Sequence, residues 1–134
     1  MLQLSLIGSA LIAVTITIHA LGTAAWVRYL GAKHVPALPW SGRRAMLILV
    51  STAIIVVFLH AVEIVVWAIA YQSILPTHEL ATFEEAVYFS FVTFTTLGYG
   101  DITLSEGYRL LSGIESLNGI ILVGWTTAML FSVV

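Results

Sequence analysis

The stretch Thr95-Thr96-Leu97-Gly98-Tyr99-Gly100-Asp101 places two glycines around a tyrosine, between apolar runs long enough to cross a bilayer. In lipid, irregular backbone is tolerated only where it is buried in protein or lines a water-filled cavity. Glycine adopts positive φ at little steric cost, so Gly98 and Gly100 allow successive carbonyls to turn to one side. We call residues 96–100 the glycine loop, and we predict that its carbonyls line a path for ions.

Composition indicates a single-domain membrane protein. The chain has 134 residues, of which 60% are hydrophobic and 9% are charged, whereas an average soluble domain is about 25% charged. Its length favours one domain. The absence of cysteine excludes disulfides and thiolate metal sites.

Three apolar stretches are long enough to span the membrane: residues 4–27, 45–71 and 108–134. At a rise of about 1.5 Å per residue, each covers the hydrocarbon core of roughly 30 Å. The first stretch has no Lys or Arg before Arg28 and is longer than a signal peptide's apolar region. It therefore predicts a retained transmembrane helix.

The charges predict the orientation. Residues 31–44 and their edge carry Arg28, Lys33, Arg43 and Arg44, which places this loop in the cytoplasm by the positive-inside rule. The expected location is the plasma or inner membrane, with the N-terminus outside and the C-terminus cytoplasmic. Five of the seven acids lie between the second and third spans, in a solvated outer segment or a mouth that concentrates cations: Glu79, Glu84, Glu85, Asp101 and Glu106.

Residues 83–95 are apolar but too short to cross the bilayer, which predicts a re-entrant or buried helix. Thr82 and Glu85 have the spacing of a capping box at its N-terminus. A half-helix that enters from outside leaves its partially negative C-terminal end in the membrane, where the glycine loop begins.

The sequence Thr96-Leu97-Gly98-Tyr99-Gly100-Asp101, after an aromatic short helix and before a final span, resembles the pore domain of potassium channels. Residues 88–96 are also similar to the pore helices of two-pore-domain potassium channels. The whole layout resembles small prokaryotic channels with one extra N-terminal span.

The resemblance implies an all-α membrane protein with three transmembrane helices, a re-entrant pore helix and a selectivity filter per subunit. Residues 1–44 would form the extra helix and a basic cytoplasmic loop, and residues 45–134 the pore domain. Within it, the expected segments are the outer helix 45–71, pore helix 83–95, filter 96–101 and inner helix 108–134. One chain supplies one loop, so a ring of carbonyls requires a tetramer or an equivalent assembly, and the expected assembly is a homotetramer.

The resemblance also implies which residues bind and support the ion. Potassium would be bound by the carbonyls of Thr96, Leu97, Gly98 and Tyr99, with Gly100 completing the filter. Leu97 stands where valine or isoleucine is commoner, Phe89 where many relatives have tryptophan, and Val92 where some have a buried carboxylate. The expected filter-supporting residues are Tyr88, Phe89, Val92, Thr95 and Asp101, with Tyr88 a candidate partner for Asp101.

On the third span, Gly119 aligns with a hinge glycine and Gly124 with a close-packing glycine of the family. Gly119 serves either packing or hinge motion, whereas packing is the better interpretation for Gly124. By the same alignment, Ile120, Val123 and Thr127 would line a cavity below the filter.

Ionisable residues within the spans are costly and are candidates for function. His60 and Glu63 share one helix face, as do Glu115 and Asn118, and similar depths predict one polar layer with Ser90 or Thr93. The layer is either a structural network or a proton-sensitive gating element. A metal or haem site of His19, His60 and Glu63 is a further alternative, although His19 is expected nearer the cytoplasm.

The function predicted from the sequence is passive, potassium-selective conduction by a homotetramer in a lipid bilayer. The protein is expected not to be an enzyme and to bind potassium ions, but no organic cofactor and no nucleic acid. The alternatives are a weakly selective monovalent cation channel and a His-liganded membrane electron carrier. No span carries Arg or Lys at every third position, so no voltage sensor of that kind is predicted.

Overall fold

The computed structural model describes residues 1–33 and 42–132, and the regular structure in these ranges is helical. Four helices follow one another: α1, Leu2–Lys33; α2, Gly42–Ile74; α3, Phe83–Phe94; and α4, Arg109–Ser132. Most of the predicted cytoplasmic loop and the last two residues of the predicted inner helix lie outside the described residues.

Helices α1, α2 and α4 are long and apolar enough to cross a membrane. Both α1 and α2 extend past the predicted apolar stretches at each end. The extension has a simple cause, because an apolar window marks the hydrocarbon core, whereas helical hydrogen bonding continues into polar residues such as Gln72 and Ser73.

The capping box predicted for the short helix α3 is confirmed. The Thr82 side chain accepts a hydrogen bond from the Glu85 N–H at 3.1 Å, and the Glu85 carboxylate accepts one from the Thr82 N–H at 3.2 Å. This reciprocal pair satisfies backbone donors that a helix N-terminus leaves unpaired. Helix α3 ends at Phe94, and Thr95 is its C-cap rather than its last residue.

Helix α3 packs against α2 and α4. Its Phe89 ring meets the edge of the Tyr71 ring at 5.2 Å between centroids, a geometry that aromatic pairs favour. Helix α1 packs on the same two neighbours, with Gly8 close to Ile114 of α4 and Gly22 close to Leu59 of α2. The largest fully buried apolar side chains are Trp67, Tyr71, Phe94, Leu111 and Leu122.

Gly119 lets α4 approach the end of α3 very closely. A Cβ atom added at Gly119 would overlap the carbonyl group of Phe94. At Gly124, one and a half turns further on, no atom of another described helix lies within 4 Å of the equivalent position. Packing is therefore evident at Gly119, whereas close packing at Gly124 stays a prediction that a single chain does not test.

We expect Gly119→Ala to destabilise the protein by about 1–3 kcal/mol, because the added methyl group collides with backbone that has little freedom to move. Gly124→Ala is the matched control and should be neutral or stabilising by up to about 1 kcal/mol, since alanine favours helix. Thermal unfolding of the detergent-purified variants measures both effects. Equal stability of the two variants would contradict the close approach at Gly119.

Candidate functional site

The backbone of the glycine loop alternates in conformation. Thr96, Gly98 and Gly100 have positive φ values of 59°, 57° and 76°, whereas Leu97 and Tyr99 between them do not. Alternation of right-handed and left-handed residues turns successive N–H groups to one side and carbonyls to the other. The two glycines were expected to adopt this conformation. Thr96 was not, because a β-branched residue rarely has positive φ.

The N–H groups of the loop donate back to the end of α3. The Thr96 N–H bonds to the Thr93 carbonyl at 3.0 Å, and those of Leu97 and Gly98 share the Val92 carbonyl at 3.0 and 3.3 Å. Within the described residues, no hydrogen bond reaches the carbonyls of residues 96–99. Leu97 and Tyr99 are 53% and 68% exposed in a single chain. The loop therefore presents free carbonyls on an open surface.

The residues expected to support the loop occupy different positions around it. The Tyr88 hydroxyl donates to the Asp101 carboxylate at 2.6 Å, and this hydrogen bond holds the pKa of Asp101 below its ordinary value. Phe89 and Val92 are buried behind the loop. The Thr95 hydroxyl donates to the Phe91 carbonyl at 2.7 Å, so it serves the end of α3.

A hollow of about 300 Å³ lies beside the start of the glycine loop. Helix α4 lines it with every residue expected for the hinge and the cavity, and the end of α3 lines its other side. The α4 residues are Gly119, Ile120, Val123, Gly124 and Thr127, and the others are Phe94, Thr95 and Thr96. Helix α4 continues unbroken through Gly119.

The intramembrane polar residues do not form the single layer that the sequence predicted. Glu115 bonds to residues of α2 and α3, Glu63 bonds to histidines of α1 and α2, and the Asn118 amide donates to Thr15 of α1 at 2.8 Å. The predicted contact with Ser90 is present at Glu115. The prediction of one layer was wrong because it considered only α2, α3 and α4. Helix α1 supplies partners for two of these residues.

Glu115 joins α4 to α2 and α3. Its carboxyl group accepts a hydrogen bond from the Tyr71 hydroxyl at 2.6 Å and also contacts the Ser90 hydroxyl, which lies 3.0 Å from the Ile64 carbonyl. Ser90 has one proton for two contacts. A proton on Glu115 satisfies all three contacts at once, because Glu115 then donates to Ser90 and Ser90 donates to Ile64.

Glu63 lies between two histidines. Its oxygens contact Nδ1 of His19 at 2.8 Å and Nδ1 of His60 at 2.9 Å, and Nε2 of His60 lies 2.9 Å from the Thr126 hydroxyl. We call these four residues the histidine cluster. The expectation that His19 lies nearer the cytoplasm than Glu63 is wrong, because helices α1 and α2 are offset along their axes. The two imidazoles stack with centroids 5.2 Å apart, which leaves no room for a haem between them.

Sequence reasoning missed the polar stripe of α1. Thr15, His19 and Thr23 are spaced by four residues and lie buried on the face that meets the other helices. A polar stripe at helical spacing within an apolar span is a sequence signal for a face turned toward protein. That signal identifies the stripe but not its partners.

Helices α1, α2 and α4 define a multi-pass membrane protein. The short helix α3 and the non-helical glycine loop that follows it lie in the chain between α2 and α4. A family model described as "Ion channel" matches residues 45–134, and the chain therefore belongs to the ion channel family. The predicted resemblance to a channel pore domain is confirmed at this level. Comparison with curated proteins and with solved structures found no match.

We expect Tyr88→Phe to raise the pKa of Asp101 toward its ordinary value. The tyrosine hydroxyl stabilises the ionised carboxylate, so its contribution is present at neutral pH and is lost as the pH falls through the lowered pKa. An NMR titration of the Asp101 carboxyl carbon measures the change, with Tyr108→Phe as the control. An unchanged titration in Tyr88→Phe would contradict this role.

We expect Ser90→Ala to cost about 1–3 kcal/mol of stability, since it removes one of the two hydroxyl groups that contact the buried Glu115 carboxyl and leaves only that of Tyr71. Glu115→Gln should cost less, because an amide N–H can donate to Ser90 while the amide oxygen accepts from Tyr71. Ser73→Ala, at an exposed serine of α2, controls for the loss of a hydroxyl. Thermal unfolding ranks the three variants, and a Glu115→Gln variant less stable than Ser90→Ala would refute the arrangement.

Proposed function

We propose that the protein is a potassium-selective channel that conducts ions passively through a pore formed by four chains. The observation that carries the proposal is the alternating positive φ at Thr96, Gly98 and Gly100, with the loop carbonyls left free. Four such loops around an axis replace the water shell of a potassium ion with carbonyls of Thr96, Leu97, Gly98 and Tyr99. Gly100 completes the filter.

The proposed direction of α3 also favours cations. As a re-entrant helix, α3 presents its C-terminal end, with its partial negative charge, to the loop and the hollow beside it. Acidic residues concentrate in the segment on the other side of the loop, where the positive-inside rule places the exterior of the cell. The N-terminus is then outside and the C-terminus cytoplasmic, in the plasma or inner membrane.

The assembly is a homotetramer because one chain contributes one loop. The side chains of Leu97 and Tyr99 are exposed in the single chain, as are Ile120 and Val123 on the adjoining face of α4. Fourfold packing gives the first pair neighbours from adjacent subunits and turns the second pair toward a shared cavity. Ile120, Val123 and Thr127 then line this cavity below the filter.

The loop is braced differently from many relatives of the resembled family. Phe89 and Val92 bring no polar atom behind the loop, and the Tyr88–Asp101 hydrogen bond holds its outer end. The contact between Glu115 and Ser90 holds α3 against α4. Conduction through such a filter requires no covalent chemistry, no organic cofactor and no nucleic acid.

Phe89 and Val92 offer the loop no side-chain hydrogen bonds, and this favours one second candidate, a weakly selective monovalent cation channel. Both candidates share the fold, the tetramer and the carbonyl ring. They differ in how rigidly the loop holds its carbonyls, and ion flux distinguishes them.

Liposomes that contain the purified chain should carry potassium much faster than sodium. Gly98→Ala should reduce potassium flux by about tenfold or more, because a side chain at positive φ costs about 1–2 kcal/mol in each of four loops. Gly107→Ala is the matched control, since its added Cβ meets open space and its φ is not positive. It should conduct as the wild type does.

Equal potassium and sodium flux through the wild type would contradict potassium selectivity and support the weakly selective cation channel. Absence of flux in a sample shown by mass measurement to contain tetramers would remove the proposal altogether. A monomer or dimer as the conducting species would contradict the fourfold ring.

A further inference from the structure

The histidine cluster lies between α1, α2 and α4, and none of its residues belongs to the glycine loop. We propose that it is a binding site for a divalent transition-metal ion of the zinc type. The ligands are Nδ1 of His19, Nδ1 of His60 and a carboxylate oxygen of Glu63. One ligand atom from each of these three residues lies within 4.8 Å of those from the other two. The proposal is independent of the ion that the channel conducts.

The donor set suits zinc. Two imidazoles and one carboxylate, with a fourth position for water or the second carboxylate oxygen, form a common tetrahedral zinc site. Bonds of about 2.0–2.2 Å in that geometry put the ligand atoms about 3.3–3.5 Å apart. The contacts from the imidazoles to the two oxygens of Glu63 measure 2.8 and 2.9 Å, so each is about 0.4–0.7 Å shorter than the separation in such a zinc site.

Thr126 supplies the outer hydrogen bond that orients metal-bound histidines. Its hydroxyl oxygen lies 2.9 Å from Nε2 of His60 and 3.4 Å from Nε2 of His19. A histidine that binds metal through one nitrogen usually donates its other N–H to an oxygen, which fixes the tautomer and the ring. One hydroxyl from α4 can serve both rings and aim both Nδ1 atoms at Glu63.

The charge of the site also favours a cation. Glu63 and His19 are fully buried, and the ion-pair partners that Glu63 has among the described residues are His19 and His60. A buried carboxylate requires a compensating charge or a full set of hydrogen bonds. A divalent ion at the meeting point of the three ligands supplies that charge.

A cleft between α1 and α4 approaches the site. It has a volume of about 740 Å³ and is lined by, among others, Thr23, Trp125, Met129 and Ser132. The Trp125 ring lies edge-on to the His19 ring with centroids 5.6 Å apart, and Thr23 donates to the His19 carbonyl at 2.7 Å. The cleft therefore comes near His19 through Trp125 and Thr23, and the residues that line it do not include the four of the histidine cluster.

The test is a cobalt titration of the full chain, purified in detergent and first stripped of metal with EDTA. Wild type should bind one Co²⁺ per chain with visible d–d absorption, and Zn²⁺ should abolish that absorption by displacement. His19→Gln and Glu63→Gln should lose the absorption. Thr126→Val keeps all three ligands and should weaken binding by about 10–100-fold.

His78→Gln is the control, because His78 is 77% exposed, pairs with Glu79 and lies outside the cluster. It should titrate as the wild type does. Wild type that gives no saturable d–d absorption holds a hydrogen-bonded cluster only, and this result overturns the proposal even if the ligand variants fail to fold. Absorption that survives His19→Gln in folded protein, or that disappears in His78→Gln, overturns it as well.

Discussion

The arrangement depends on how the backbone of residues 96–98 is satisfied. Their N–H groups donate to the last carbonyls of α3, so the preceding helix supplies the hydrogen-bond acceptors that a non-helical turn in a membrane protein needs. The opposite side then has carbonyls and no donors. This asymmetry requires α3 to be short, to end where the loop begins and to be held firmly by its neighbours. Three features hold α3 in place: the close contact of Gly119 with Phe94, the hydrogen bonds of Glu115, and the capping box at Thr82.

Polar side chains connect the helices, because apolar contacts between helices in a bilayer are little more favourable than contacts with lipid. Lipid tails are as apolar as leucine, so helices in a bilayer associate through close fit and interhelical hydrogen bonds. Here glycines provide the fit at Gly8, Gly22 and Gly119, and polar groups provide bonds between each pair of packed helices. Tyr71 bonds across to Glu115, and His19 bonds across to Glu63. The short helix and the extra helix are thus held by the same two kinds of interaction.

The spans, the short helix and the positive φ of both loop glycines could be predicted from the sequence, because each follows from local composition or local backbone chemistry. The partners of buried polar residues could not. Depth counted along separate helices says nothing of their offset, so His19 was separated from Glu63 although they share a hydrogen bond. Gly119 and Gly124 look alike in sequence, and only the position of Phe94 distinguishes them. Thr96 departs from its own backbone preference because the turn back onto α3 outweighs it.

The polar stripe of α1 has a consequence for biogenesis. Helix α1 precedes α2 in the chain, so its His19 is synthesised before Glu63, the partner that α2 supplies. An unpartnered polar side chain in lipid is unfavourable, so α1 is at its least stable as a solitary span. The Thr15 hydroxyl already donates to carbonyls of α1, so His19 is the residue that needs a partner from another helix. Helix α1 therefore depends on the packing of α2, whose Glu63 supplies that partner.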